Sequence, residues 1–408
     1  MHTTDYLLLG GGLASAQAAK QLRQHDAAAS ITLVSEEPHR PYDRPPLSKE
    51  FLRGEKSRDQ LFFDPESYYR DNRVDVILGT PVRQLHTTGK QVTLADGRTI
   101  QFGKALLATG GRPIRLSIPG VHLAGVQYLR TLDDAVAIAA RAVPGARAVI
   151  IGAGFIGMEV AASLMQRGVH TTVIEAQEHI WPRFADATLA GAIQQYFAQK
   201  GVIIRTDNQV TEIRGHGRAS SVILKSGALL PCDFVVIGVG IVPNVELAKE
   251  AGLSVDNGIV VNEYLQSSHP DVYAAGDVAN YMDPIFSKRR RVERWGHAEY
   301  CGQLAGQNMV GASNPYDLLT YVWSDLFDLH LEFAGDESEH DQVIVRGLVG
   351  DTPYIILYLK QHILTAYFAV NAAAKDFPPL QRAIKQHKDL SGKEPQLQDP
   401  SIPLKSII

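Results

Sequence analysis

Six residues, Gly152-Ala153-Gly154-Phe155-Ile156-Gly157, stand between an apolar run that reads as a strand, 148–151, and a run that reads as a helix, 158–167. They form a complete GxGxxG turn. The first glycine makes the tight bend, the second lets a pyrophosphate approach the backbone, and the third lets the helix pack close to the strand. Free N–H groups and the dipole at the helix start favour the anion. Glu175 closes the next strand, 170–174, where a carboxylate can hold the 2′-hydroxyl of a nucleotide ribose. The same carboxylate repels a 2′-phosphate, by on the order of 1 to 4 kcal/mol at about 4 Å, which favours NADH over NADPH by about tenfold or more.

A weaker glycine cluster lies near the N-terminus. Gly10-Gly11-Gly12-Leu13-Ala14-Ser15 follows the strand-like 6–9 and opens a helix-like stretch, 13–24. Ser15 stands where a third glycine would be, and it is small enough to keep the packing close. Glu36 is the acid after the returning strand, 31–34. Two dinucleotide turns in one chain imply two dinucleotides, and the economical pairing is FAD with a nicotinamide.

The rest of the chain has to position these turns. At about 150 residues per domain, 408 residues make two or three domains. With 45% hydrophobic and 21% charged residues, the chain is not a disordered one. A net charge of −4 gives no reason to expect nucleic acid. The N-terminus lacks a basic leader, and the longest apolar run, 148–158, is too short to span a bilayer. The expectation is a cytoplasmic protein without a membrane or nucleic-acid partner. Cys232 and Cys301 form no CxxC and read as structural, and the histidines show no metal-ligand spacing, so no metal is expected. The βαβ pattern occurs twice, separated by a proline-rich stretch with Pro38, Pro41, Pro45 and Pro46, and from about Tyr321 the pattern turns β-rich. The expected fold is α/β, with two Rossmann-like dinucleotide-binding domains and a smaller α+β C-terminal domain. Expected boundaries are 1–115 with 244–320, then 116–243, then 321–408.

Four further stretches are specific: Arg44-Pro45-Pro46-Leu47-Ser48-Lys49, Phe155-Ile156-Gly157-Met158-Glu159, Tyr273-Ala274-Ala275-Gly276-Asp277 and Trp323-Ser324-Asp325. Over nearly its whole length the chain resembles the FAD-containing, NADH-dependent ferredoxin reductases of bacterial oxygenase systems, those of biphenyl-type dioxygenases in particular. The resemblance implies a glutathione-reductase-like arrangement with FAD in the discontinuous domain and NADH in the middle one. It implies Arg44, with Pro45, and Arg130 at the FAD phosphates, a task that suits a planar guanidinium. It places Val82 at the adenine, Thr109 and Gly110 near the pyrophosphate, and Asp277 on the ribityl chain. Glu293, Arg294 and Trp295 would lie against the pyrimidine end of the flavin. Gly238 and Gly240 would line the nicotinamide side, and Trp323 would cover that pocket, face the partner or belong to the core.

In that family a lysine and a glutamate meet near flavin N5, and Lys49 and Glu159 match them. Glu159 is expected in the first turn of its helix, where it could also simply complement the dipole. Neither side chain needs to accept a proton from substrate. Their implied work is to orient the nicotinamide and stabilise charge. Relatives of this fold that reduce disulfides carry cysteines in the segment that is 41–49 here, and this chain has none there. The implied reaction is hydride transfer from NADH to flavin N5, then single electrons to a [2Fe–2S] ferredoxin, Rieske-type included, serving an aromatic-ring-hydroxylating dioxygenase. Reduction of rubredoxin or a P450-type ferredoxin, an oxygen-using oxidase, and an NADH-sensing flavoprotein with slow turnover are the alternatives. Lys288-Arg289-Arg290-Arg291 could steer an acidic ferredoxin or be a solvated loop.

Overall fold

The computed structural model describes residues 2–181, 185–348 and 353–408. Along the chain, β1 (His2–Leu9) is followed by α1 (Leu13–His25), β2 (Ile31–Val34), β3 (Val74–Ile77) and β4 (Thr99–Leu107). Next come β5 (Arg147–Ile151), α2 (Phe155–Gln166), β6 (His170–Ile174) and β7 (Phe234–Ile237). Then follow β8 (Val272–Ala274), α3 (Trp295–Met309), β9 (Tyr321–Leu326) and β10 (Leu329–Gly335). The last elements used below are β11 (Gln342–Arg346), β12 (Tyr354–Lys360), β13 (Ile363–Val370) and α4 (Phe377–Lys385).

These elements group into two compact units. The first contains Met1–Asp43, Asp59–Arg112 and Val242–Thr320. Its sheet runs β3-β2-β1-β4 in parallel, with β8 also parallel to β4. Leu7, Leu8 and Leu9 on β1 are buried in succession, as expected of a central parallel strand covered on both faces. α1 lies against α3 at very short range. A Cβ added to Gly302 would sit 2.3 Å from the Ala14 carbonyl oxygen, so the two helices meet through their backbones.

The second unit contains Arg44–Arg58, Pro113–Ile241 and Tyr321–Ile408. Its parallel sheet places Ile203–Arg205, β6, β5, β7 and Val126–Tyr128 side by side. An antiparallel sheet, β9-β10-β13-β12-β11, follows in the C-terminal part. Phe377 of α4 stacks on Tyr367 of β13, with ring centroids 5.9 Å apart. The two parallel βαβ units and the antiparallel sheet from Tyr321 agree with the fold class read from the sequence.

Residues 44–58 fall by number inside the first expected domain but pack in the second unit. Leu52 is fully buried in one apolar cluster with Met158 and Val160 of α2 and Phe333 and Phe368 of the C-terminal sheet. The Arg167 guanidinium donates to the Leu52 carbonyl at 2.9 Å. A proline-rich stretch lacks the periodicity that would have indicated its docking partner.

Candidate active site

Both glycine turns have the shape a pyrophosphate needs. Gly10 and Gly152 adopt φ of +124° and +103°, and a Cβ on either would meet a carbonyl oxygen, of Ala108 at 2.2 Å or of Gly238 at 2.4 Å. Gly12 and Gly154, by contrast, have open space where a Cβ would stand, and each caps its helix without a side-chain hydrogen bond. The amides that open α1 and α2 therefore keep their capacity for an anion. These cradles fit dinucleotide phosphates. Ser15, at the third position of the first turn, is fully buried.

Glu175 lies beside the second turn. Its Oε2 accepts from the Ala153 amide at 2.7 Å and its Oε1 from the Gln177 amide at 2.9 Å. The acid thus ties the end of β6 to the glycine turn, and each oxygen keeps further acceptor capacity for a ribose hydroxyl. Phe155 stacks on the buried Trp181 at 5.3 Å, whereas Ile156 is exposed. Gly238 donates its amide to Ile151, and the Gly240 carbonyl accepts from Ile114.

Lys49 and Glu159 come together. Lys49 Nζ lies 3.1 Å from Glu159 Oε1, and both side chains are over nine-tenths buried. The Ser324 hydroxyl donates to the same Oε1 at 2.7 Å, and the Ser48 hydroxyl donates to Oε2. Ser163, one turn further along α2, donates to the Ser48 carbonyl at 2.6 Å. Three donors thus converge on a carboxylate with about four acceptor sites. The helix starts at Phe155, so Glu159 lies past its first turn, which holds no acid. The expected first-turn position is corrected. Dipole complementation fades over that distance, which leaves the ion pair as the reason for a buried glutamate.

The other expected residues divide between the units. Arg44 donates to the Arg130 carbonyl, so these two meet in the second unit. Pro45 opens the short turn that leads to Lys49. In the first unit, the Thr109 hydroxyl donates to the Asn244 carbonyl at 2.7 Å, beside Gly110. Leu13 and Ala14 are buried at the start of α1, Glu36 is exposed after β2, and the half-buried Val82 opens a mostly exposed strand. Asp277 sits on a tight turn, Gly276–Val278, whose carbonyl at Asp277 accepts from Arg291. Glu293 pairs with Arg291 at 2.7 Å, Arg294 bonds the Thr320 carbonyl, and the Trp295 indole donates to Asp43 at 2.8 Å.

The Pyridine nucleotide-disulphide oxidoreductase family model matches residues 4–302, and the Reductase C-terminal model matches 321–408. This chain belongs to that family. Rhodocoxin reductase of Rhodococcus erythropolis is 37% identical over 84% of this chain and 81% of its own length. The anthranilate 1,2-dioxygenase system ferredoxin–NAD(+) reductase component of Burkholderia cepacia is 33% identical over the full length of both. The putidaredoxin reductase in its covalent complex with putidaredoxin superposes with a TM-score of 0.93, at 31% identity, covering 100% of this chain and 98% of that one. By kinship the chain is a ferredoxin reductase, an oxidoreductase that works with FAD and NAD(H).

Within this oxidoreductase family, the chain's cysteines are set up for packing rather than for thiol chemistry. Cys232 and Cys301 are both free and buried. Burial pushes their thiols up to about 11 and about 12, so neither is a thiolate near neutral pH. Cys301 lies 3.5 Å from the ring of His297, a buried histidine the sequence did not single out. Tyr281 stacks on that ring at 4.9 Å, and its Nδ1 is 3.0 Å from the Tyr316 hydroxyl. The basic run is largely occupied within its own unit. Arg290 pairs with the buried Asp283 at 2.9 Å, Arg291 with Glu293, and Arg289 bonds the Val261 and Asn280 carbonyls. Ser48 and Ser324 lie inside motifs that the sequence displays, but only their neighbours Lys49 and Trp323 carry an expected role. Among the described residues no helix is long and apolar enough to cross a membrane, and no group of three or more potential ligands could hold a metal.

Proposed function

We propose that the protein takes electrons from NADH and passes them singly to a [2Fe–2S] ferredoxin, Rieske-type included, that serves an aromatic-ring-hydroxylating dioxygenase of the biphenyl type. When bound, FAD would supply the chemistry that side chains lack, accepting a hydride at N5 and giving up electrons one at a time. The buried Lys49–Glu159 pair carries the reading. A carboxylate with three donors in place keeps about one acceptor site, which suits an N–H of the nicotinamide carboxamide. Lys49 holds positive charge where negative charge would develop, in surroundings that exclude water and strengthen it. Gly154 admits the NADH pyrophosphate, and Glu175 holds the ribose and disfavours NADPH. Gly12, with Leu13 and Ala14 behind it, admits the FAD pyrophosphate. Arg44 and Arg130 supply charge for phosphate, while Thr109, Asp277 and Trp295 would align the flavin. With both cysteines buried, electrons leave to an external acceptor rather than through a thiol. The reading places the protein in the cytoplasm, where unpaired cysteines stay reduced.

The relatives named for rhodocoxin and putidaredoxin keep reduction of other ferredoxins as the second reading. The deciding experiment mixes the holoprotein with NADH without oxygen, then adds a [2Fe–2S] ferredoxin and cytochrome c. Fast flavin bleaching and ferredoxin-dependent cytochrome reduction are expected. Bleaching without ferredoxin dependence would overturn the reading in favour of an oxidase or a redox sensor.

A further inference from the structure

Ser324 has a role that neither its burial nor its strand requires. It sits on β9 with no exposed surface, and its hydroxyl donates to Glu159 Oε1 at 2.7 Å. Lys49 Nζ approaches the same oxygen at 3.1 Å. Along β9, Ser324 and Leu326 are fully buried, whereas Trp323 is half-buried and Asp325 is exposed. Successive strand residues point to opposite faces, so Ser324 faces α2 and Trp323 does not. The C-terminal sheet therefore reaches the Lys49–Glu159 pair through one hydroxyl.

We infer that Ser324 is a positioning residue for the reductive half-reaction, fixing the rotation of the Glu159 carboxylate and thereby the direction in which Lys49 holds its charge. Two hydroxyls grip the carboxylate from its two oxygens, Ser48 from the segment before α2 and Ser324 from β9. Without Ser324, Oε1 keeps only the ammonium, and the carboxylate can swing about its bond to follow Lys49. Hydrogen bonds to an ionised group are among the stronger ones, so this grip is a real constraint on the rotamer. A misaligned orienting group costs rate more than it costs binding when the geometry of the reacting atoms is what suffers. The inference rests on the placement of Lys49 and Glu159 at the nicotinamide proposed above.

The test is a double-mutant cycle on the FAD-loaded protein, with Ser324→Ala, Glu159→Ala and the pair. It is read as the limiting rate of flavin bleaching by NADH and, separately, as the calorimetric affinity for NAD⁺. Ser324→Ala should slow bleaching about fivefold, with half-saturating NADH and NAD⁺ affinity changed by less than about twofold. In the Glu159→Ala background the same change should do nothing further. Ser324→Thr, which keeps the hydroxyl and suits a strand, should retain the rate. Equal slowing in both backgrounds, no slowing by Ser324→Ala, or slowing by Ser324→Thr in a protein that retains its FAD would each overturn the inference. If Glu159→Ala itself bleaches at the normal rate, the placement at the nicotinamide fails instead. If Ser324→Ala does not fold, Ser324→Cys, which fills the same space with only a weak donor, replaces it, and a normal bleaching rate there would overturn the inference.

Discussion

Glu175 accepts a hydrogen bond from the Ala153 amide at 2.7 Å, so the residue expected to read the ribose also braces the turn that receives the phosphates. Replacing it has two consequences that separate cleanly. Glu175→Gln keeps one acceptor, for the Ala153 amide, gives up the one to Gln177 and removes the charge, and it should move the kcat/KM ratio toward NADPH by about tenfold. Glu175→Ala loses the brace as well and should weaken both nucleotides. An unchanged ratio of the two cofactors in both variants would take Glu175 out of the ribose site.

Lys49→Ala leaves Glu159 buried with only its two serines. Breaking one side of a buried pair is costly, and a loss on the order of 3 kcal/mol in unfolding free energy is expected, read by urea titration. Stopped-flow bleaching by NADH should slow by about tenfold or more in Lys49→Ala and in Glu159→Ala, with FAD content retained. Normal bleaching in Glu159→Ala would show that the pair is not at the nicotinamide.

The protein should lose stability on mild acidification through His297. Burial pushes that histidine down to about 4 from an ordinary value of 6.5. Between those values the unfolded chain binds a proton that the folded protein refuses, so stability is complete above about pH 6.5 and falls as pH drops toward 4. The full effect is on the order of 3 kcal/mol. His297→Asn should flatten that part of the pH–stability curve, measured as Tm from pH 7 to 4.5. A slope equal to that of the parent protein would assign the loss to other groups.

Arg346 holds the C-terminal tail in place. Its guanidinium is buried and donates to the carbonyls of Leu397 at 3.2 Å, Asp399 at 2.5 Å and Pro400 at 3.3 Å, as well as Ile402. A lysine cannot reach that fan of acceptors from one point. Arg346→Lys should expose the tail to limited proteolysis at least several-fold faster. Equal digestion of the two proteins would mean the tail is anchored elsewhere, for instance by Leu397, Leu404 and Ile407, which are all buried.

Ferredoxin steering by the basic run would draw first on its exposed charge. Arg290 and Arg291 each have a carboxylate partner, whereas Arg289 is exposed. Arg289→Ala should slow ferredoxin reduction at low salt and leave NADH bleaching unchanged. An unchanged low-salt rate would assign docking to another surface.

The two glycine turns were legible because each needs a fixed order of small residues between a strand and a helix, and that order survives in a linear string. The meeting of Lys49 with Glu159 was legible only through the family pattern. Nothing in spacing joins residues that come from a proline-rich turn and a later helix. The Ser324 contact was hidden for the same reason more strongly, since it spans 165 residues and its serine carries no signal of its own. The His297 cluster was missed because a lone histidine on an apolar helix face looks like packing, and that is what it is. Helix α2 begins at Phe155, three residues before the start at Met158 that the sequence suggests, because glycine-rich sequence conceals where helical hydrogen bonding begins.

β9 presents two different faces across the thickness of one backbone. Tyr321, Trp323 and Asp325 lie on one face, and Val322, Ser324 and Leu326 on the other. Substitutions at the odd positions can therefore change one face while the hydroxyl at Glu159 stays in place. Sequence change on the odd face thus leaves the Ser324–Glu159 contact untouched. Inserting or deleting one residue within β9 has the opposite character, because it would exchange the two faces and carry the Ser324 hydroxyl away from Glu159.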